Sequence, residues 1–259
     1  MSDNNPYSPP KSDVTPPPIP SDGMELLAEP RSLSAGAGIS WLAESWPLVK
    51  SNLGVWVLIT LALFAIQVIL GLIPVAGDIA SSLIGPILSG GILMGARAVY
   101  FGEPLRFDYL FEGFKQKLVP LLGLGGLTLG IMFLFGIIIG GAFVGMNMSS
   151  METGVVSPEG MMSSLNIGLI AVGIILLLLV MMLFWFATQL VALNDVPVFQ
   201  SLTLSFKACL RNPLPLLLYG LAVFVLMLLG ALPLLLGLLV VVPWLFASMY
   251  VSYKQIFLQ

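Results

Sequence analysis

Residues 212–252 read NPLPLLLYGLAVFVLMLLGALPLLLGLLVVVPWLFASMYVS, 41 residues without one Asp, Glu, Lys or Arg. As a single helix this stretch would be roughly 60 Å long, twice the ~30 Å hydrocarbon core of a bilayer. It must therefore fold back, and Gly230-Ala231-Leu232-Pro233 is the natural turn. The reading gives two membrane spans, 213–231 and 233–253.

Four further spans lie upstream. Leu53–Ile73 is charge-free and long enough to cross, and Pro74–Asp78 then turns the chain. Ile79–Tyr100 is the least regular candidate, interrupted by Gly85-Pro86 and Gly90-Gly91. Leu118–Gly145 and Leu165–Leu193 follow, separated by the polar, Met-rich stretch Met146–Ser164. The spans expected are thus 53–73, 79–100, 118–145, 165–193, 213–231 and 233–253. Composition agrees: 58% of residues are apolar, 9% are charged, and the mean hydropathy is +1.03. Ordinary globular chains carry about 25% charged residues. A barrel would need short alternating strands, whereas these runs are continuous, so the expected class is all-α and integral to a membrane.

Orientation follows from the basic residues. The connections 71–78, 146–164 and 230–233 hold no Lys or Arg, and all ten bases fall in the other segments. The positive-inside rule then places both termini in the cytoplasm. Trp41, Trp46, Trp56, Tyr250 and Tyr253 are expected at that interface as aromatic anchors.

Residues 1–38 hold eight of the nineteen prolines and carry the chain's net charge of −3. They read as a disordered, solvated cytoplasmic tail, with polyproline II favoured at 16–20, and not as a signal peptide. The rest of the chain is electrically neutral, which leaves no footprint for nucleic acid. One cysteine, Cys209, permits no internal disulfide.

Three segments preceding the span pairs look alike. Ile39, Leu42, Trp46, Val49 and Leu53 form one apolar stripe; Phe107, Leu110, Phe111, Phe114 and Leu118 form a second. Leu202, Phe206, Cys209 and Leu210 form a third. Each spacing fits an amphipathic helix lying on the membrane surface, with Trp41, Trp46 and Lys50, then Phe111, Phe114 and Lys115, then Phe206, Lys207 and Arg211 as its interfacial residues. Trp46 precedes Asn52 by six residues, Phe206 precedes Asn212 by six, and Phe114 precedes Pro120 by six. The 39–259 domain thus reads as three parallel units, each an amphipathic helix followed by a helical hairpin.

Some of these residues carry a resemblance. Asn5-Pro6-Tyr7-Ser8-Pro9-Pro10 resembles the opening of many uncharacterised proteobacterial membrane proteins. Gly38-Ile39-Ser40-Trp41-Leu42, with Glu44, Trp46, Leu48, Lys50 and Asn52, and Phe206–Asn212, resemble a six-helix family akin to the YciC-like group. That group is similar to the membrane domain beside some glycerophosphodiester phosphodiesterases. The resemblance spans roughly 36–255 and implies a bacterial inner-membrane location with no settled activity.

Chemistry is hard to find. The chain has no His, which removes the commonest general base and metal ligand. No cofactor is expected. Gly91–Gly95, Gly126–Gly130, Gly136–Gly140 and Gly141–Gly145 keep the small-xxx-small step, read as packing surface before substrate path. Gln67, Gln189 and Arg97 are the polar groups from which an intramembrane path would be built. No span interior holds a carboxylate, which argues against proton-coupled transport. The methionines of 146–164 are read as flexible filler before a Cu(I) site. The expectation is a non-enzymatic inner-membrane protein with a structural, accessory or lipid-associated role, its partners being membrane lipids and an unidentified cytoplasmic or membrane protein. The alternative is a permease, channel or lipid-handling protein with a hydrated path near Gln67 or Gln189.

Overall fold

Because lipid offers backbone groups no hydrogen bonds, the long apolar stretches satisfy themselves as helices. The computed structural model describes residues 24–152 and 167–259. It is helical apart from a single antiparallel bridge, Leu26 to Leu258. In chain order the helices are α1 (Ala37–Lys50), α2 (Leu53–Gly71), α3 (Ala76–Tyr100), a 3₁₀ turn (Phe107–Phe111) running into α4 (Glu112–Gln116), α5 (Leu118–Glu152), α6 (Ile167–Phe184), α7 (Ala187–Asn194), α8 (Val198–Arg211), α9 (Pro213–Ala231) and α10 (Leu238–Phe257). The Met-rich stretch falls largely outside the described residues, as do residues 1–23.

Among the described residues five helices are long and apolar enough to cross a membrane, not six: Leu53–Gly71, Ala76–Tyr100, Leu118–Ala142, Ile170–Asn194 and Pro213–Ala231. The sixth expected span, 233–253, begins later than expected. Leu234 and Leu235 sit at positive φ, 50° and 67°, in a turn that carries the chain from Ala231 to Leu238. α10 is then rich in polar groups toward its C-terminus, where Ser248, Tyr250, Ser252 and Tyr253 are buried against protein. A helix wrapped by others need not be apolar. α9 and α10 do form the expected hairpin: Tyr219 Oη and Ser248 Oγ are 2.8 Å apart, and the backbones of Gly230 and Gly237 meet so closely that a Cβ on Gly237 would lie 2.7 Å from Gly230 Cα.

α3, which the sequence marks as the least regular span, is the most buried of the five. Its glycines explain both facts. A Cβ on Gly91 would stand 2.3 Å from the Tyr109 carbonyl oxygen, so the glycines that make α3 look weak let the 3₁₀ turn lie on its backbone. Of the small-xxx-small pairs, Gly91–Gly95 packs in this way, whereas Gly130, Gly136, Gly140 and Gly141 have nothing within 4 Å of a Cβ.

The helices sort into inner, outer and short. α3, α7 and α10 lie inside, whereas α6, which runs into α7, is largely exposed. α2, α5 and α9 lie outside, with leucines such as Leu61, Leu134 and Leu228 exposed. The short helices do not pack chiefly on their own hairpins. α1 packs on α9 and α10, the 3₁₀ turn and α4 pack on α3, and α8 packs on α6 and α7. Each unit therefore lays its short helix on the preceding hairpin, and α1 closes the cycle on the last.

Candidate functional site

The three joints between short helix and hairpin have one backbone geometry. Asn52 (φ −131°, ψ 31°), Lys117 (φ −135°, ψ 29°) and Asn212 (φ −128°, ψ 45°) share it. This sets the register of the repeat and corrects the middle copy. Six residues before each joint stand Trp46, Phe111 and Phe206, so Phe111 and not Phe114 is the counterpart of Trp46. The 3₁₀ turn distorts the middle copy, which hides the match from a helical reading.

Each joint also holds the segment that leads into the next unit. Leu105 N–H donates to Asn52 Oδ1 at 3.3 Å, Lys117 pairs with Asp195, and Leu33 N–H donates to Asn212 Oδ1 at 2.8 Å. Asn212 is fully buried, and its Nδ2 donates to the carbonyls of Arg31 (2.8 Å) and Ala208 (2.9 Å). The three short helices thus form a closed collar at the end of the bundle that carries the described bases.

Residues 24–36, expected to be disordered tail, are the closing element. Leu27 N–H donates to the Phe257 carbonyl at 2.8 Å and Arg31 N–H to Ile256 at 2.9 Å. Glu29 pairs with Lys207 at 2.8 Å and Arg211 at 2.9 Å. The hydrogen bond from Lys207, with both positive charges, holds the Glu29 carboxyl below its ordinary value against the opposing effect of desolvation.

The buried faces of the collar differ from the stripes read in the sequence. α1 buries Gly38, Trp41, Leu42, Ser45 and Val49, while Ile39 and Trp46 stay exposed. α8 buries Ser201, Leu202, Leu204, Ser205, Ala208 and Cys209 and leaves Leu210 out. In the middle copy Leu110, Glu112 and Gly113 face inward; Phe111, Phe114 and Lys115 face outward. Where the surrounding solvent is itself apolar, apolar side chains do not mark the core; small residues that allow close approach do. A Cβ on Gly38 would lie 2.1 Å from the Pro215 carbonyl oxygen, and one on Gly113 would lie 2.1 Å from that of Ile87.

Of the expected aromatic anchors, Trp41, Trp56, Tyr250 and Tyr253 are buried. The polar atoms of Trp41, Trp56 and Tyr253 bind protein where headgroups were expected. Trp41 Nε1 donates to Gln255 Oε1 at 3.0 Å and Trp56 Nε1 to the Leu48 carbonyl at 3.2 Å. Trp46 remains partly exposed and packs on Trp244, ring centroids 4.9 Å apart.

The polar residues singled out as a path do not converge. Gln67 lies on outer α2 near its far end, where Ser81 Oγ donates to its Oε1 at 3.2 Å. Arg97 sits near the basic end of α3, its Nη1 3.4 Å from the Leu193 carbonyl oxygen. Gln189 is fully buried beside the break between α6 and α7. There Ser205 of α8 inserts its hydroxyl, which donates to the Met182 carbonyl at 2.8 Å and accepts from Phe186 N–H at 2.9 Å. With its amide oriented to satisfy its neighbours, Gln189 nitrogen lies 3.2 Å from the carbonyls of Trp185 and Phe186. Gln189 thus serves the helix break, one of the recognised causes of a kink. Sequence reasoning missed Ser205 and Glu29, and it marks Asn212 only as the end of the repeated step and not as a buried clamp. The recurrence of Asn at two of the three joints was the available signal.

Glu112 is the collar's most buried acid, 8% exposed. Burial pushes its carboxyl upward, but hydrogen bonds from Gln116 (2.6 Å) and Lys115 (3.1 Å), with the charges of Lys115 and Arg106, hold it below the ordinary value. Among the described residues no group of three or more His, Cys, Asp or Glu is placed to hold a metal ion.

The chain is similar to a probable inner membrane protein of Burkholderia thailandensis, 26% identical over 210 residues that cover 78% of this chain and 76% of that one. No solved structure matches it. Neither the YciC-like group nor the phosphodiesterases enter these matches, so the motif resemblance holds only as far as a probable inner-membrane relative. Residues 73–258, which take in the second and third units and all but the short helix and outer helix of the first, match a single family, and the chain belongs to it: the Domain of unknown function (DUF7847) family.

Proposed function

We propose that this chain is a non-enzymatic accessory protein of the bacterial inner membrane whose collar meets the lipid headgroups of the cytoplasmic leaflet. The collar carries the reading. Trp46 and Phe111 stand at equivalent positions and face outward, and the equivalent Lys50 and Lys115 follow each by four residues. The third copy offers Phe206 with Lys207 and Arg211. Aromatic side chains beside long basic ones suit the headgroup level, where the ring and the methylene stem meet hydrocarbon and the charge meets phosphate. The interfacial role is therefore carried by the outward edge of each short helix, its small-residue face being used for docking.

Both termini lie in the cytoplasm on this reading, and α10 completes the return crossing with its polar end sheltered inside the bundle. A chain with no His, a fully buried Gln189 and a Gln67 remote from it favours an accessory role over transport or catalysis. Spin labels at Lys50→Cys, Lys115→Cys and Leu210→Cys, in a Cys209→Ser background, test it. All three should report headgroup depth and react with an impermeant thiol reagent only in inside-out vesicles. Labels in bulk water, or reactive from the outer face, would refute the proposal.

A further inference from the structure

The pseudo-threefold arrangement is broken in one place. Outer helix α2 packs on α10, the inner helix of the preceding unit, and α5 packs on α3 in the same sense. α9 forms no comparable seam with α6. Trp185 and Tyr219 touch edge-on, ring centroids 6.3 Å apart, and beside that contact a cavity of about 390 Å³ opens between the helices. Leu178, Met181, Trp185, Cys209, Leu217 and Gly220 line it. Leu178 and Leu217 are more than half exposed at its rim, so it opens sideways toward the membrane.

The volume falls within the roughly 300–1,000 Å³ of small-molecule sites. The lining gives water no useful partners, and an apolar space of this kind inside a bilayer fills with hydrocarbon. Charge identifies the hydrocarbon's headgroup. The helices that form the groove, α6, α8 and α9, carry no acid, and their two charges are Lys207 and Arg211 on α8, whose Cys209 forms one wall. Glu29 offsets one of the two, leaving one positive charge near the groove's basic end. From this we infer that the groove holds one acyl chain of an anionic phospholipid, with the headgroup drawn to Lys207 and Arg211. The inference rests on the membrane reading above and gives it a specific lipid site.

Trp185 is a built-in reporter. Phosphatidylglycerol brominated on its acyl chain is titrated into phosphatidylcholine vesicles holding the full-length protein, and tryptophan quenching is followed. Quenching should saturate at a mole fraction roughly fivefold lower than for brominated phosphatidylcholine, the factor expected for one surface charge. It should be lost for the most part in Trp185→Phe. In Gly220→Leu the new side chain enters open space, since no atom lies within 4 Å of a Cβ there, and fills the groove. That variant should lose the lipid-selective quenching while labels at Lys50→Cys and Lys115→Cys keep their depth, which separates this inference from the collar reading. Equal quenching by the two lipids, indifference to Gly220→Leu, or cross-linking of two copies through Gly220→Cys would overturn it.

Discussion

Leu33 N–H donates to Asn212 Oδ1 at 2.8 Å across 179 residues of sequence, and this bond ties the third unit to the segment that opens the first. Without it the collar is an open arc. The same buried amide also donates to two carbonyls, so truncation strands several groups at once. Asn212→Ala should cost about 1–3 kcal/mol, seen as a lower unfolding temperature in nanodiscs. Asn52→Ala should cost less, because Asn52 is half-buried and its bond to Leu105 is longer, 3.3 Å. Equal losses at the two sites would argue against the closure.

Close backbone approach predicts which glycines resist substitution. Gly38→Ala and Gly113→Ala should each destabilise by roughly 1–3 kcal/mol through overpacking against backbone, read by the same thermal scan. Gly136→Ala and Gly140→Ala, where a Cβ meets open space, should leave stability unchanged or slightly raised. Comparable losses in both pairs would contradict the assigned packing.

Two buried serines with the same composition should behave differently. Ser205 bridges the broken helix through Met182 and Phe186, whereas Ser45 donates only within its own helix, to Leu42. Ser205→Ala should cost about 1–3 kcal/mol by orphaning backbone groups, and Ser45→Ala should be near neutral. Hydrogen exchange at Phe186 should rise in the first variant alone.

Much of this was legible in the sequence, and the part that was not has a common cause. Continuous apolar runs located the helices, and the six-residue step before Asn52 and Asn212 exposed the repeat. The same pattern misjudged which side faces inward, because Trp41 buries while Ile39 does not. In water apolar means inside; beside lipid, Gly38, Ser45 and Ser205 are the better markers of contact. The middle register was obscured by the 3₁₀ turn at Phe107–Phe111. Proline-rich composition extends up to the strap at 24–36 and marks it as tail, whereas its order comes from partners far along the chain, Lys207 for Glu29 and Phe257 for Leu27. The start of α10 was set by Leu234 and Leu235 at positive φ, a conformation their side chains disfavour and no composition announces.

Acid should loosen the middle segment of the collar. The Glu112 carboxyl is held below its ordinary value in the fold, so its contribution is fully present above about pH 4.3 and is lost as pH falls through the lower folded value. Glu29 shifts in the same direction and adds to the trend. Glu112→Gln should therefore flatten, without abolishing, the decline of the unfolding temperature below about pH 4. An unchanged acid slope would show that Glu112 does not hold this segment.

The closed collar is the central claim, and pairwise thiol cross-linking in the Cys209→Ser protein tests it most directly. Double cysteine substitutions at Asn52 with Leu105, at Lys117 with Asp195 and at Asn212 with Leu33 should all cross-link with a short bifunctional reagent. The mismatched pairs, Asn52 with Asp195, Lys117 with Leu33 and Asn212 with Leu105, should not. Failure of the Asn212 and Leu33 pair while the other two react would leave the ring open, and reaction of the mismatched pairs would contradict the threefold order altogether.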